Sequence, residues 1–294
     1  MPTTPMATEE LLKAKVQATK QSIHFYQQKI GSILFAAIST RPDVAFAVSR
    51  LSRHNLNPDQ SHHNAADRLI QYLYLTRSLS IRLGGKSIGK EVFICESDAS
   101  FADNSEDRKS SPGYVMMLFN GPIAWRASKQ PTVTTSSTEA ELLALSEAAK
   151  ETIFASRLLK SLEVKISGPL QLECDNSNTI RLLSEEATKL TTQLRHVDIH
   201  QHWLRQEVQN KRISVNWVGT NDMIADGMTK ALPKVKHIDF VKQLNMEDIR
   251  ERISLESLLE DAKEHVKYQL KDQHQSERTE RLGYKGGQKK GSTE

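Results

Sequence analysis

The chain has 294 residues, 38% of them hydrophobic and 26% charged, with a formal net charge of +4. This composition suits one or two folded domains and excludes a fibrous or disordered chain, while the mild basic excess permits a polyanionic partner without demanding one. The opening "MPTTPMATEELLKAKVQATK" lacks an apolar core of signal-peptide length, and no apolar run approaches the ~20 residues that span a bilayer.

The expectation is therefore a soluble intracellular chain, cytoplasmic or nuclear, neither secreted nor bound to a membrane. Cys95 and Cys174 each sit inside an apolar run and are too few for a disulfide framework or a thiolate zinc site, so both are expected as buried free thiols.

After a polar lead, "IHFYQQKIGSILFAAISTRPDVAFAVSRLSRHNLNP" carries apolar residues at helical spacing on both sides of "STRPD", where Pro42 should open a new helix. "SHHNAADRLIQYLYLTRSLSIRLGG" continues the pattern with Ala65, Leu69, Tyr72 and Leu73 on one face, then becomes strand-like before a Gly-Gly stop. Residues 1–88 read as a small helical module.

From Glu91 the period changes. "EVFICESD" and "GYVMMLFNGPIAWRAS" predict three antiparallel strands, with Asn120-Gly121 as the hairpin signal. A helix over "SSTEAELLALSEAAKE" follows, then a strand at "PLQLECD", a helix from Asn176, a longer one around "TQLRHVDIHQHWLRQEVQN", a strand "ISVNWV" and a short helix after "TNDMIAD". The order β-β-β-α-β-α-α-β-α predicts an α/β domain over 89–232, a mixed five-stranded sheet with flanking helices. Residues 233–294 read as a charged tail, with one amphipathic helix over "IRERISLESLLEDAKEHVKYQL" and a solvated end at "YKGGQKK".

Two strands end alike, "FICESD" at Asp98 and "LQLECD" at Asp175, each placing an acid where an α/β sheet exposes its strand tips. Either residue alone could be a turn former or N-cap. Asp226, at the start of the last short helix, is a third acid. The fourth is one of Glu139 and Glu141. Ser136 fits an N-cap, and Glu139 stands three residues on, at capping-box spacing, which gives it structural work and leaves Glu141 beside the apolar stripe that faces the sheet. Asp98, Glu141, Asp175 and Asp226 could not all stay ionised close together without cations. All-oxygen ligands suit two Mg²⁺, or Mn²⁺, able to act on a phosphodiester.

At these residues the sequence resembles the ribonuclease H domain of copia-type retrotransposon polyproteins. The motifs are "SDASFADNSEDRKSSPGYV", "WRASKQPTVTTSSTEAELLALSEAAKE", "LECDNSNTI", "RHVDIHQHWLRQE" and "NWVGTNDMIADGMTKAL", in that family's order and spacing. The helical module is similar to the segment between the polymerase palm and the ribonuclease domain, the end of a reverse transcriptase. The resemblance implies a ribonuclease H-like fold and metal-dependent endonucleolytic cutting of the RNA strand of RNA–DNA hybrids. It implies Asp98, Glu141, Asp175 and Asp226 as catalytic metal ligands. Its partners would be the hybrid and the polymerase part of the same element.

Two departures accompany it. The chain has no Tyr-x-Asp-Asp hairpin and no Asp-Asp pair, so polymerase activity is not expected of it. The loop from Trp217 to Asp226 lacks the His that many ribonucleases H carry before the last acid. The alternative function is a transposon remnant that binds nucleic acid or a partner polymerase without cutting.

Arg126, Lys129 and Gln130 follow the third strand and could contact a phosphate backbone or be an ordinary exposed loop; His196 could approach the same backbone. His196, His200 and His202 invite a zinc reading that lacks a further ligand at sensible spacing. Trp125 and Trp217 are expected as core residues rather than base-stacking platforms.

Overall fold

The computed structural model describes residues 1–84, 92–184 and 195–252. Met1–Glu247 form one compact unit. Beyond it only Asp248–Arg252 are described, with a 3-10 turn over Arg250–Arg252, so the helix expected over "IRERISLESLLEDAKEHVKYQL" lies outside the described residues from its fifth residue on.

The helical module is α1 (Lys20–Ser39), α2 (Ala45–Ser52) and α3 (Gln60–Leu75), followed by a short strand β1 (Leu79–Ile81). Pro42 opens a 3-10 turn that leads straight into α2, since its fixed φ and missing N–H suit a first helical position. Tyr26, Ile30, Ile33, Val48, Leu51, Leu69 and Tyr72 bury the facing stripes of the three helices against one another.

The sheet contains β2 (Phe93–Ser100), β3 (Ser111–Leu118), β4 (Gly121–Ala127), β5 (Leu170–Cys174) and β6 (Ile213–Trp217), in the order β4-β3-β2-β5-β6. β2, β3 and β4 are antiparallel neighbours, whereas β5 runs parallel to β2 and β6 parallel to β5. The expected mixed five-stranded sheet is therefore present. The hairpin joining β3 to β4 turns on Phe119 and Asn120, both at positive φ (47° and 67°), one residue earlier than the Asn-Gly signal suggested. Gly121 instead begins β4, at a place where a Cβ would meet the Arg82 carbonyl oxygen at 2.5 Å.

One face of the sheet buries Phe93, Cys95 and Met116 under Leu142, Leu145 and Ala149 of α4 (Ser137–Ser161), with α5 (Ser177–Leu183) and α6 (Arg195–Gln209) alongside. The other face buries Val115 and Met117 against Ala45 of the module, Ile224, Met228 of α7 (Asp226–Thr229) and Phe240 of α8 (Lys234–Gln243). α8 occupies the start of the stretch read as tail. Cys95 and Cys174 are buried free thiols, as expected. Trp125 is half-buried and donates its Nε1–H to Ala37 O at 2.7 Å, but Trp217 is 63% exposed rather than a core residue. No described helix is long and apolar enough to cross a membrane.

Candidate active site

The chain leaves β2 towards β3 on one side and leaves β5 towards β6 on the other, so the carboxyl ends of β2 and β5 flank a crevice at the point where the sheet order reverses. Parallel pairing of Glu96 with Glu173, continued two residues, brings Asp98 level with Asp175. Asp98 is 1% exposed and Asp226 8%.

Glu141 enters from α4, above the opposite face. Ala99, Ala140 and Ala144 form a small buried cluster there, and their short side chains let the first turns of α4 lie close over the end of β2. The Glu141 carboxylate accepts from the Ala99 backbone N–H, while its Oε2 is buried without a hydrogen-bond partner. Burial first, then Asp98 and Asp175, push this carboxyl up to about 9.

The four acids form two overlapping groups. Ligand atoms of Asp98, Asp175 and Asp226 lie within 4.8 Å of one another, as do those of Glu141, Cys174 and Asp175, so Asp175 belongs to both. Cys174 adds little to a hard-cation site, since burial and then Glu141 push its thiol up to about 12. The donors that remain are carboxylate oxygens, one of them, Glu141 Oε2, buried without a partner; this set fits a hard divalent cation.

Neighbouring residues hold the acids in place. Glu96, two residues before Asp98 and so on the same strand face, accepts from the Ile224 N–H at 2.5 Å and ties down the loop leading to Asp226. Thr229 Oγ1 donates to Asp98, and Lys230 Nζ meets Asp226 Oδ1 at 2.6 Å and Asp98 Oδ2 at 3.5 Å. Burial, then Asp98, holds the Asp226 carboxyl above its ordinary value, with Lys230 opposing. Thr220 Oγ1 donates to Asp175 Oδ2 at 3.1 Å. Sequence reasoning passed over Glu96, Thr229 and Lys230. The signals were an acid two places before Asp98 in a strand, and a lysine four residues after Asp226, just past the end of the short helix.

Glu139 does cap α4, but by reaching one residue further than a capping box requires. Its Oε2 accepts from Thr135 N at 2.7 Å and Thr135 Oγ1 at 2.8 Å, while Ser136 Oγ accepts from Glu139 N at 3.2 Å.

Of the proposed backbone contacts, Arg126 pairs with Glu147, and Lys129 with Asp107 at 2.6 Å. Gln130 is buried rather than exposed: its Nε2 donates to Ala140 O at 2.9 Å, which fastens the loop after β4 beneath α4. The side chain of His196 lies outside the described residues. His200 Nδ1 sits 2.7 Å from Ser146 Oγ and His202 Nε2 3.6 Å from Asp198, and among the described residues no candidate metal group contains a histidine.

No protein-family model matches the chain. It is 32% identical over 244 residues, 83% of its length, to the retrovirus-related Pol polyprotein from transposon RE2 of Arabidopsis thaliana. To the corresponding polyprotein from transposon TNT 1-94 of Nicotiana tabacum it is 33% identical over 211 residues, 72% of its length. It spans only 16% and 15% of those two relatives. Secreted RxLR effector protein 161 of Plasmopara viticola is 37% identical over 129 residues, 44% of this chain and 89% of that protein. Among solved structures, the N-terminal ribonuclease H domain of a Mycobacterium tuberculosis protein matches 52% of this chain and 98% of its own, with a TM-score of 0.36 and 13% identity.

Proposed function

The chain belongs to the retrovirus-related Pol polyproteins of copia-type transposons, and from its acid cluster we propose that it is a metal-dependent endonuclease cutting the RNA strand of RNA–DNA hybrids. The observation that carries this reading is Glu141. A carboxyl group buried beside two aspartates, with one oxygen unpartnered, is costly unless a cation completes it.

Asp98, Asp175 and Asp226 would hold one divalent ion, and Glu141 with Asp175 would meet a second, Mg²⁺ or Mn²⁺ in each case. Two such ions would ease deprotonation of an attacking water and offset the charge that develops on the leaving oxygen. The protein's own part is positional. Glu96 anchors the Ile224 backbone, Thr229 orients Asp98, and Lys230 lies beside Asp98 and favours the ionised form of Asp226. Discrimination for a hybrid would come from backbone shape and the 2′-OH, with Arg126 and Lys129 offered to phosphates once their carboxylate partners are exchanged. The polymerase part of the same element is the proposed protein partner.

The test is incubation of purified protein with an end-labelled RNA–DNA hybrid and Mg²⁺, beside Asp98→Asn and Glu141→Gln. Internal cuts in the RNA strand by wild type alone are expected. A wild type that binds hybrid and leaves it intact would replace this reading with the non-enzymatic one.

A further inference from the structure

Among the described residues, two groups of side chains bring ligand atoms within 4.8 Å of one another, and one of the two contains sulfur. Asp98, Asp175 and Asp226 offer carboxylates alone. Cys174 joins Glu141 and Asp175 in the other group, where its thiol has no part in hard-cation chemistry.

Cys174 ends β5 and continues the stripe of Leu170 and Leu172 towards α4, which sets its sulfur on the face that Glu141 covers. Cys174 is 0% exposed and Glu141 5%, whereas Asp175 is half-buried and joins the group to solvent. Two further observations point to an ion among these three residues. Glu141 Oε2 is buried without a hydrogen-bond partner. Cys174 Sγ accepts from the Asn176 backbone N–H at 3.4 Å, a contact that favours a thiolate over a thiol. The second cysteine differs on both counts: Cys95 belongs to neither group, and its Sγ donates to Glu96 O at 4.0 Å.

We propose that Cys174, Glu141 and Asp175 form a mixed sulfur–oxygen site for a thiophilic divalent cation such as Zn²⁺, and that this ion excludes the second hard ion from the acid cluster. One thiolate and two carboxylates leave a fourth, tetrahedral position for water, a donor set that Zn²⁺ accepts. Left alone the sulfur keeps its proton; as the metal–sulfur bond forms, that proton passes to solvent. Zn²⁺ stands above Mn²⁺ in affinity for a given donor set, and sulfur widens the gap from Mg²⁺. Glu141 and Asp175 are shared with the second hard-ion position, so the two kinds of ion compete. The competition rests on the ribonuclease reading, whereas the site itself rests on the three side chains.

The experiment titrates Co²⁺, a coloured substitute for Zn²⁺, into the metal-free full chain under a non-thiol reductant. Thiolate ligation gives an intense near-ultraviolet charge-transfer band that carboxylates alone do not give. The chain has two cysteines, so Cys95→Ala leaves Cys174 as its single thiol. The band should appear in wild type and Cys95→Ala, be absent from Cys174→Ala and Cys174→Ser, and vanish when Zn²⁺ displaces Co²⁺. Co²⁺ binding without the band, or a band lost in Cys95→Ala and kept in Cys174→Ser, overturns the site. If the Cys174 variants fail to fold, Cys95→Ala decides. A second arm follows hybrid cleavage in Mg²⁺ with added Zn²⁺, each protein measured against its own zinc-free rate. Loss of an outer partner already weakens a metal site tenfold or more, so Cys174→Ser should need at least about tenfold more Zn²⁺ for half inhibition. Equal zinc sensitivity of Cys174→Ser and wild type overturns the competition. A wild type that shows the band and cuts nothing in Mg²⁺ alone sinks the ribonuclease reading and leaves the site standing.

Discussion

Glu139 and Glu141 stand two residues apart on α4, turned roughly 200° from each other about its axis, and the fold gives them separate work. Glu139 closes onto Thr135 outside the helix, while Glu141 lies over Ala99 with Oε2 unpartnered among the acids. Glu139→Gln should keep cutting activity and lose about 1 kcal/mol of stability as the cap weakens. Glu141→Gln should lose cutting by at least about a hundredfold and keep or gain stability, since it removes a carboxyl that burial disfavours. Urea unfolding and initial cleavage rates of the two variants measure both halves. Activity lost in Glu139→Gln and kept in Glu141→Gln would reverse the assignment.

The metal-free protein should lose stability as pH rises. Glu141 is held up to about 9 from an ordinary value of 4.5, so the folded protein keeps a proton that the unfolded chain has released. The contribution is fully present below the unfolded value and disappears as pH rises through about 9. Melting temperatures in EDTA should fall across this window, and Glu141→Gln should flatten the trend. A wild-type profile parallel to that of the variant would show that Glu141 is not the group responsible.

Divalent metal should act in the opposite direction. A cation must displace the Glu141 proton, so Mg²⁺ should stabilise more strongly near pH 8 than near pH 6. At a hundredfold excess over its dissociation constant it should add about 2.7 kcal/mol. Asp175 belongs to both acid groups, so Asp175→Asn should remove more of this effect than Asp226→Asn. Scanning calorimetry with and without Mg²⁺ provides the comparison.

Gly113 controls how near α7 comes to the sheet. It pairs with Asp98 in the β2–β3 register, and a Cβ there would meet Met228 Cβ at 2.5 Å and Thr229 Cγ2 at 3.0 Å. Gly113→Ala should push α7 outward, cost about 1–3 kcal/mol of stability, and move Thr229 and Asp226 off Asp98. Cleavage should therefore fall even at temperatures where the variant is fully folded, as circular dichroism would verify.

The strand-end acids were legible because alternation stops at them: Leu170, Leu172 and Cys174 point inward and Asp175 follows. Their meeting depends on the parallel register of β2 with β5, a tertiary fact that no local pattern carries. Gln130 looked like loop surface because its neighbours are polar, yet the Ala140 carbonyl gives its amide a buried partner. α8 was hidden for a related reason. Among its ten residues only His237 and Phe240 are buried, so its apolar stripe is too thin to stand out from a charged tail. Glu96 stands out less because it sits inside a strand rather than at its tip, although its place two residues before Asp98 puts both acids on one face.

That histidine also completes a buried chain between the helical module and α8. Arg41 Nε and NH2 donate to the two oxygens of Asp43 at 2.8 and 2.7 Å, Tyr72 OH donates to Asp43 Oδ2 at 2.8 Å, and His237 Nε2 lies 2.8 Å from the Tyr72 oxygen. The tyrosine has one proton, which goes to Asp43, so His237 must donate from Nε2. Burial lowers the pKa of His237 and keeps the ring neutral. Its depressed value means that stability is lost as pH falls below the ordinary 6.5, where the unfolded chain takes up a proton that the folded one refuses. Tyr72→Phe should leave the His237 N–H without an acceptor and Asp43 with one donor fewer, at about 1–3 kcal/mol. His237→Leu removes the orphaned donor, so the double variant should be less destabilised than the sum of the two single ones. Urea titrations of all four proteins measure that coupling, and strict additivity would mean that the two side chains do not share the bond.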